Sequence, residues 1–568
     1  MCRPGAAVLS VFLFLACSGV TPDTSSGPEG SAEAFDVVIL GGRIVDGTGN
    51  AWFPGDVGIQ NDQIAAITPP GLLANVESGL TIDATDMVVS PGFIDIQSHS
   101  RPSFVGDGDG RVVSKVTMGV TTEIMGESTT NGPSSPAMLR EADSAVGTTV
   151  FETFGDWMRA MEAHGTSVNV GSFVGATTIR ILGKGEAMGE ASAGELALMQ
   201  DAVRQSMEDG AFGVASALIY PPGNFASTQE LIEINRAAAP YGGVYITHLR
   251  SEADYFLEAI DEAIDIGTSA GVPIEIYHLK AGGRRNWSKA SQAVAKIDSA
   301  RAAGVDIQAN MYPYTAGGTG LTACFPPWAS ADGKLFDNLE DSNTRMRIRA
   351  EIENQTTEWE NLCTLASPEG VLLLGFNKPD NQRYSGRYLS DISDEVGKDW
   401  IATAFDLVLD ERQRLSTIYF MMSEENVAMQ IGQSWMKFGT DAGGIDPETA
   451  QGLTHPRAYG TFTRVLGKYV REDGATTLEE AVRKMSSAVA TRLHIKNRGL
   501  LKEGFFADIV IFDPKTVSDH ATYDEPHQVS TGVHYVIVNG VPVVSQGEHT
   551  DRMPGRPVYG PGWTGWER

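Results

Sequence analysis

The sequence predicts an α/β fold: a (β/α)8 barrel with a small β-sandwich built from both chain ends. Three observations carry that expectation. Short β-branched runs broken by Gly, Asn and Asp turns fill 35–87 and return near the C-terminus, as antiparallel strands would. Between them, from 88 to 496, strand-like and helix-like segments alternate. The strand-like runs there are continuously apolar, as in a buried parallel sheet, and a barrel is the economical way to close so many βα units.

Taken in order, residues 1–17 read as an export signal. Arg3 precedes the apolar "AAVLSVFLFLA" (6–16), which is too short to span a bilayer comfortably. "LFLAC", ending at Cys17, resembles a bacterial lipobox, so Cys17 is a candidate lipid anchor and simple cleavage is the alternative. Residues 18–34 are a polar Gly/Pro/Ser tether. The expected location is therefore outside the cytoplasm, as a periplasmic protein or a membrane-anchored lipoprotein. Cys324 and Cys363 remain in the folded part, either as one disulfide or as two buried thiols.

Residues 35–87 supply the N-terminal part of the sandwich, with "FDVVILGGRIVDG" and "GDVGIQNDQIAAI". Its C-terminal part and tail span 497–568, with "ADIVIFDP" and "HYVIVNGVPVVSQG". The barrel occupies 88–496, its eight strands expected from 88, 121, 168, 213, 244, 273, 305 and 435. Ser192…Glu195 and Ser227…Glu230 are capping-box spacings ahead of helical apolar patterns. Further helices are expected around 253–269 and 289–303, and an insertion covering the barrel mouth near 325–415.

Composition narrows the function. Charged residues make up 20% of the chain, its formal net charge is −29, and no Lys/Arg run supplies a basic footprint. Nucleic acid is thereby excluded as a partner. The acidic balance reads as a solvated surface, and 42% hydrophobic residues suffice for a large core.

Chemistry in a barrel collects at the C-terminal ends of its strands. His248 follows the fifth strand in "VYITHLRSE", and His278 follows the sixth in "PIEIYHLKAGG". Asp441 follows the eighth, His99 the first, and Glu127 lies just beyond the second. Other histidines, such as His164, His494 and His549, fall in a helical pattern or near the C-terminal strands. Two imidazoles and two carboxylates on neighbouring strand ends are the donor types of a metal site. Residue 97 is glutamine where a His-x-His pair with His99 would otherwise stand.

Ordered segments including "VVSPGFIDIQSH", "GVTTEIMGE", "YITHLRSE", "HLKAGGRRNW", "YPYTAGGTGL", "GTDAGG" and "HPRAYGTFTRVLG" resemble the amidohydrolase superfamily, and within it the N-acyl-D-amino-acid deacylase (D-aminoacylase) family. The resemblance implies a metal-dependent barrel hydrolysing the amide bond of N-acyl-D-amino acids. It implies His248 and His278 as ligands of the tighter metal, with Glu127 in the neighbourhood where the family usually has a cysteine. It further implies Asp441 as general base and acid, and Lys280, Tyr312 and Arg457 as contacts to a small-molecule substrate. The implied cofactor is Zn2+, one tightly bound ion per chain, with other divalent metals as alternatives. Gln97 departs from the pattern and puts a second ion in doubt, leaving His99 a weak ligand or a partner of Asp441. Arg250 and Glu252 read as a supporting ion pair. Related readings keep the fold and change the substrate to D-residue dipeptides, cyclic amides or other N-acyl compounds, or make the protein a non-catalytic exported binding lipoprotein.

Overall fold

The structure, a computed structural model, describes residues 35–144, 149–354 and 359–565. The proposed leader and tether, including Cys17, lie outside the described residues. Eight parallel strands form the barrel: β1 (Phe93–Asp95), β2 (Val120–Met125), β3 (Asn169–Ser172, continued by Val174–Gly175), β4 (Gly213–Ala217), β5 (Val244–His248), β6 (Ile274–Ile276), β7 (Ile307–Met311) and β8 (Met436–Phe438). Each pairs with the next in parallel. The return from β8 to β1 is thinner, a bridge between Ser98 and Ala442 just past the strand ends. Every residue of β2, β4 and β5 is buried, so these strands lack the alternation of a sheet with one wet face.

Local signals explain the helices. Ser192 and Glu195 form both halves of a capping box ahead of Ala193–Glu208. Before Thr228–Ala238 only half of the expected box forms, with Ser227 accepting from the Glu230 N–H. The Glu230 carboxylate turns instead to Arg180 Nη1 at 2.7 and 2.5 Å. A buried guanidinium needs an anion more than a helix end needs a second cap.

The β-domain is one nine-stranded sheet to which both chain ends contribute. Val88–Pro91 sits in its middle, between Phe35–Ile44 and Ile509–Phe512. The expected barrel strand from 88 is therefore split, and the barrel begins only after Gly92. A Cβ on Gly92 would lie 2.1 Å from Thr121 Oγ1, so the crossover passes where only glycine fits. Period-two alternation then divides the burial. Ile509, Ile511 and Ile537 pack with Val37, Ile39 and Val57, while Val510, Phe512, Val536 and Val538 join the barrel core. The tail crosses back under the barrel, where the Val558 N–H donates to Val170 O and the Gly560 N–H to Gly210 O.

The insertion is wider than 325–415. Ala316–Gly320 pairs antiparallel with Ser416–Phe420, and these two strands form its base. It carries its own apolar core, including Leu339, Ile348, Phe405 and Val408. Cys324 and Cys363 form a disulfide inside it, which decides between the two readings left open by sequence. Closing a loop between cysteines 39 residues apart stabilises the insertion by about 2–4 kcal/mol. Replacing both cysteines with serine should lower the melting temperature of the insertion in calorimetry, with the main barrel transition moved less. An unchanged thermogram would show that the bond constrains nothing.

Candidate active site

His248 ends β5, His278 lies two residues past β6, Glu127 two past β2, and Asp441 three past β8. The barrel brings all four to one mouth, where they line a cavity of about 370 Å³ with His99, Lys280, Tyr312 and Arg457. Glu127 Oε1 lies 3.5 Å from His278 Nε2 and 3.6 Å from His248 Nδ1, and the two ring nitrogens are 2.9 Å apart. The other Glu127 oxygen accepts from Gln97 Nε2 at 2.6 Å and stands 3.4 Å from His99 Nε2. His99 Nε2 in turn lies 2.8 Å from Asp441 Oδ1. Glu127 thus stands between two groups of donors, His248 with His278 and His99 with Asp441.

The first group fits a metal ion. Donor separations of 3.5 and 3.6 Å approach the ~3.3 Å edge of a tetrahedron with zinc–ligand bonds of about 2.0–2.1 Å. Two imidazole lone pairs 2.9 Å apart repel each other unless a cation or proton lies between them. Electrostatics points the same way. Burial opposes a charged His278, yet Glu252 and Glu127 outweigh it and push its pKa up to about 9. Burial also opposes a charged His99, and Asp441 with Glu127 likewise push it to about 9. Burial alone would raise the Glu127 carboxyl, but the three histidines hold it well below the usual carboxylate range. His248, by contrast, is pushed down by burial, so the pair offers one neutral imidazole beside one drawn toward positive charge, and a divalent cation would take the place of that charge.

Glu252 is the residue that sequence reasoning placed wrongly. Arg250 pairs with Glu262, at 2.9 Å from Nε, and not with Glu252. The chain bends after His248, sending Arg250 outward toward the following helix and Glu252 inward. Glu252 Oε1 lies 2.9 Å from His278 Nδ1, and both its oxygens accept from Lys280 Nζ at 2.6 and 2.8 Å. Lys280 Nζ also lies 2.7 Å from His278 Nδ1, so Glu252 and Lys280 together hold that nitrogen and the ring turns its Nε2 toward Glu127 and His248. Lys280 lines the cavity with its charge already matched by Glu252.

Arg457 lines the cavity beside Asp441 and Tyr312. Its Nη1 lies 2.7 Å from Asp441 Oδ2, and its guanidinium sits 4.6 Å over the Tyr312 ring. Its Nε and Nη1 are buried without a well-aligned hydrogen-bond partner. His455, which sequence reasoning passed over, fixes this arginine: its Nδ1 accepts from the Arg457 N–H at 3.0 Å, and its Nε2 donates to Ala316 O at 2.9 Å. The "HPR" order was the available signal. Burial opposes a charged Asp441, but Arg457 and His99 hold its pKa down to about 2, so it is a carboxylate at neutral pH.

Beneath the cavity, Lys115 is 0% exposed. Its ammonium donates to Asp95 Oδ2 at 2.7 Å, Thr440 Oγ1 at 2.5 Å and Ala442 O at 2.7 Å. Asp95 accepts from the Thr440 N–H at 2.9 Å and the Gln97 N–H at 3.1 Å. Glu123 accepts from the hydroxyls of Ser98 and Ser100, either side of His99.

A closed parallel barrel with a histidine–carboxylate cluster at the C-terminal ends of its strands defines a metal-dependent barrel hydrolase. The amidohydrolase family profile matches residues 435–544. D-aminoacylase of Alcaligenes xylosoxydans xylosoxydans is 32% identical over 536 residues, covering 93% of this chain and 98% of that enzyme. N-acyl-D-glutamate deacylase of the same organism is also 32% identical, over 92% of this chain and 96% of its own. A solved D-aminoacylase superposes with a TM-score of 0.76 at 33% identity, covering 92% of this chain and 100% of that one. N-acyl-D-glutamate deacylase from Bordetella bronchiseptica, solved with zinc and a phosphonate mimic of the tetrahedral intermediate, gives 0.77 at 30% identity over 93% of this chain and 100% of its own. The chain belongs to the D-aminoacylase family of amidohydrolases.

Removing the buried ammonium tests the platform under this site. Lys115→Met leaves two buried carboxylates facing each other, and breaking such a pair costs about 3–5 kcal/mol. Thermal unfolding should drop by several degrees. A melting curve superimposable on wild type would show that the network carries no stability.

Proposed function

We propose that the chain is a metal-dependent amidohydrolase that cleaves the amide bond of N-acyl-D-amino acids, releasing a carboxylate and a free D-amino acid. The observation that carries this reading is Arg457. A buried guanidinium on the cavity wall, ion-paired with Asp441 through Nη1 and with an Nε–H that meets no acceptor, is a receptor for a carboxylate next to the bond to be broken. It favours linear acyl-amino acids over neutral cyclic amides. The N-acyl and D preferences rest on the relatives.

Glu127, His248 and His278 would hold the ion, and we propose zinc, one per chain. A zinc ion acidifies water and polarises an amide carbonyl. Gln97 supports the single ion because it spends its amide N–H on Glu127 and offers no imidazole beside His99. Asp441 takes the proton of the attacking water and returns it to the departing amine, which would otherwise leave poorly. His99 and Arg457 hold one oxygen each of that carboxylate. When the α-carboxylate of the substrate takes up Arg457, Oδ2 of Asp441 is freed while His99 keeps Oδ1 oriented. Tyr312 lies under the same guanidinium and closes this wall.

Export is the proposed location, with Cys17 as lipid anchor. The Cys324–Cys363 disulfide supports it, since such bonds persist in oxidising compartments.

Elemental analysis should find about one zinc per chain, lost in His278→Ala, and the loaded enzyme should hydrolyse N-acetyl-D-amino acids. Asp441→Asn should lower kcat by about 10²–10⁴ with metal retained, and Arg457→Gln should act mainly on KM. Two tightly held ions, or full activity in Asp441→Asn, would sink this assignment. Separately, the protein should fractionate with membranes in the native cell, and Cys17→Ala should release it. Recovery of wild type in the soluble cytoplasm would end the export proposal.

A further inference from the structure

The cavity holds a cation that the proposed reaction does not use. Arg101 stands two residues after His99, at the start of the 3-10 turn Arg101–Phe104, and lines the same cavity. Its Nη2 donates to Thr129 Oγ1 at 3.0 Å and its Nη1 to Asn131 Oδ1 at 3.3 Å. Both acceptors are neutral. Among the described residues no carboxylate pairs with it, whereas Lys280 has Glu252 and Arg457 has Asp441. Burial pushes its guanidinium below the ordinary value, with no anion pulling it back. A partly buried charge left without a counter-ion, held at fixed geometry beside a reaction centre, is the usual form of an anion receptor.

Its place is well determined. Ser100, its neighbour, donates to buried Glu123 at 2.5 Å and accepts from the Gly444 N–H at 2.7 Å, so the loop is pinned from both sides. Thr129, which it touches, lies two residues past Glu127, on the β2 side of the cavity. Arg457 and Tyr312 line the same cavity from past β8 and β7, and the contact of His99 with Asp441, which pairs with Arg457, links the loop that bears Arg101 to that side. A substrate whose α-carboxylate sits on Arg457, with its amide at the cluster around Glu127, thus has Arg101 in the same cavity to receive a further substituent.

We propose that Arg101 is a second anion subsite, so that the preferred N-acyl amino acid carries a carboxylate besides the one on its α-carbon. This rests on the deacylase reading above. The second carboxylate can come from the far end of a dicarboxylic acyl group or from an acidic amino-acid side chain, and the chemistry at Arg101 is the same. Arg414 also lines the cavity, but it is exposed to solvent, sits over the Tyr220 ring and donates to Thr319. Water screens it, so it serves as the control.

The test compares N-acetyl-D-leucine, N-acetyl-D-glutamate and N-succinyl-D-leucine with wild type, Arg101→Gln and Arg414→Gln. Wild type should prefer one dianionic compound over N-acetyl-D-leucine by at least ~10-fold in kcat/KM, and Arg101→Gln should erase that preference through KM, the loss of a charge-assisted bond being worth roughly 10- to 100-fold. N-acetyl-D-leucine should change by less than about twofold, since it makes no such bond. The dianionic compound that responds identifies the source of the second carboxylate. Calorimetric binding of the same three compounds to metal-free protein separates this idea from the reaction itself. Tighter binding of a dianionic compound, lost in Arg101→Gln, sustains the subsite even if none is hydrolysed. Equal affinity for all three, or a preference that survives Arg101→Gln and disappears in Arg414→Gln, overturns it.

Discussion

The catalytic end of this barrel depends on one buried ammonium. β8 and β1 share no ladder like those joining the other neighbours, only a bridge past the strand ends. Lys115 fills that seam. An ammonium has three donors, and Lys115 directs them to Asp95 at the end of β1 and to Thr440 and Ala442 just past β8. Burying a charge this deeply costs several kcal/mol unless every donor is met, and here each is. Glu123 adds a second carboxylate 3.5 Å away. Burial pushes the Glu123 carboxyl upward against the pull of Lys115, and the hydroxyls of Ser98 and Ser100 donate to it. The same network therefore fixes the backbone on both sides of His99 and Asp441. Their 2.8 Å contact follows from the closure of the barrel.

Two catalytic-end residues carry backbone conformations that side chains usually avoid. His278 has φ +31° and Asp441 has φ +49°. Such positions cost of order 1–3 kcal/mol each and persist only when their surroundings over-determine them. The His278 N–H donates to Asn310 Oδ1 at 3.0 Å, and the Asp441 N–H to Gln97 O at 2.8 Å. A residue leaving a strand in extended geometry would continue along it. The left-handed turn redirects each side chain into the cavity, so the strain is spent on aiming a ligand and a base.

The alternation of strands and helices, and the acids and imidazoles at strand ends, were legible because both depend on local sequence. A histidine straight after a buried apolar run has few places to go. What escaped detection depended on contacts between distant segments. Val88–Pro91 reads like a barrel strand, yet it pairs with Phe35–Ile44 on one side and, on the other, with residues more than four hundred positions away. The role of Glu252 depends on a bend after β5 that no turn residue announces. Lys115 sits in the four-residue helix Val113–Val116 with no signal that its side chain is buried. The base of the insertion lies outside 325–415 because Ala316–Gly320 is rich in glycine and carries no β-branched run to mark it as a strand.

Gln97 shows how one substitution reassigns its neighbours. An imidazole there would compete for a cation and titrate near neutrality. The amide cannot carry charge, and its Nε2 donates to Glu127 at 2.6 Å. That bond occupies one carboxylate oxygen and turns the other toward His248 and His278. His99, with no second imidazole beside it, falls to Asp441 instead. The arrangement has a cost, because Gln97 Oε1 is buried without a partner, a loss of about 1–3 kcal/mol. A strand-end position that tolerates an unsatisfied carbonyl oxygen is held by what its amide nitrogen does. The orientation of Glu127 is therefore the physical consequence that distinguishes this site from one built on a His-x-His pair.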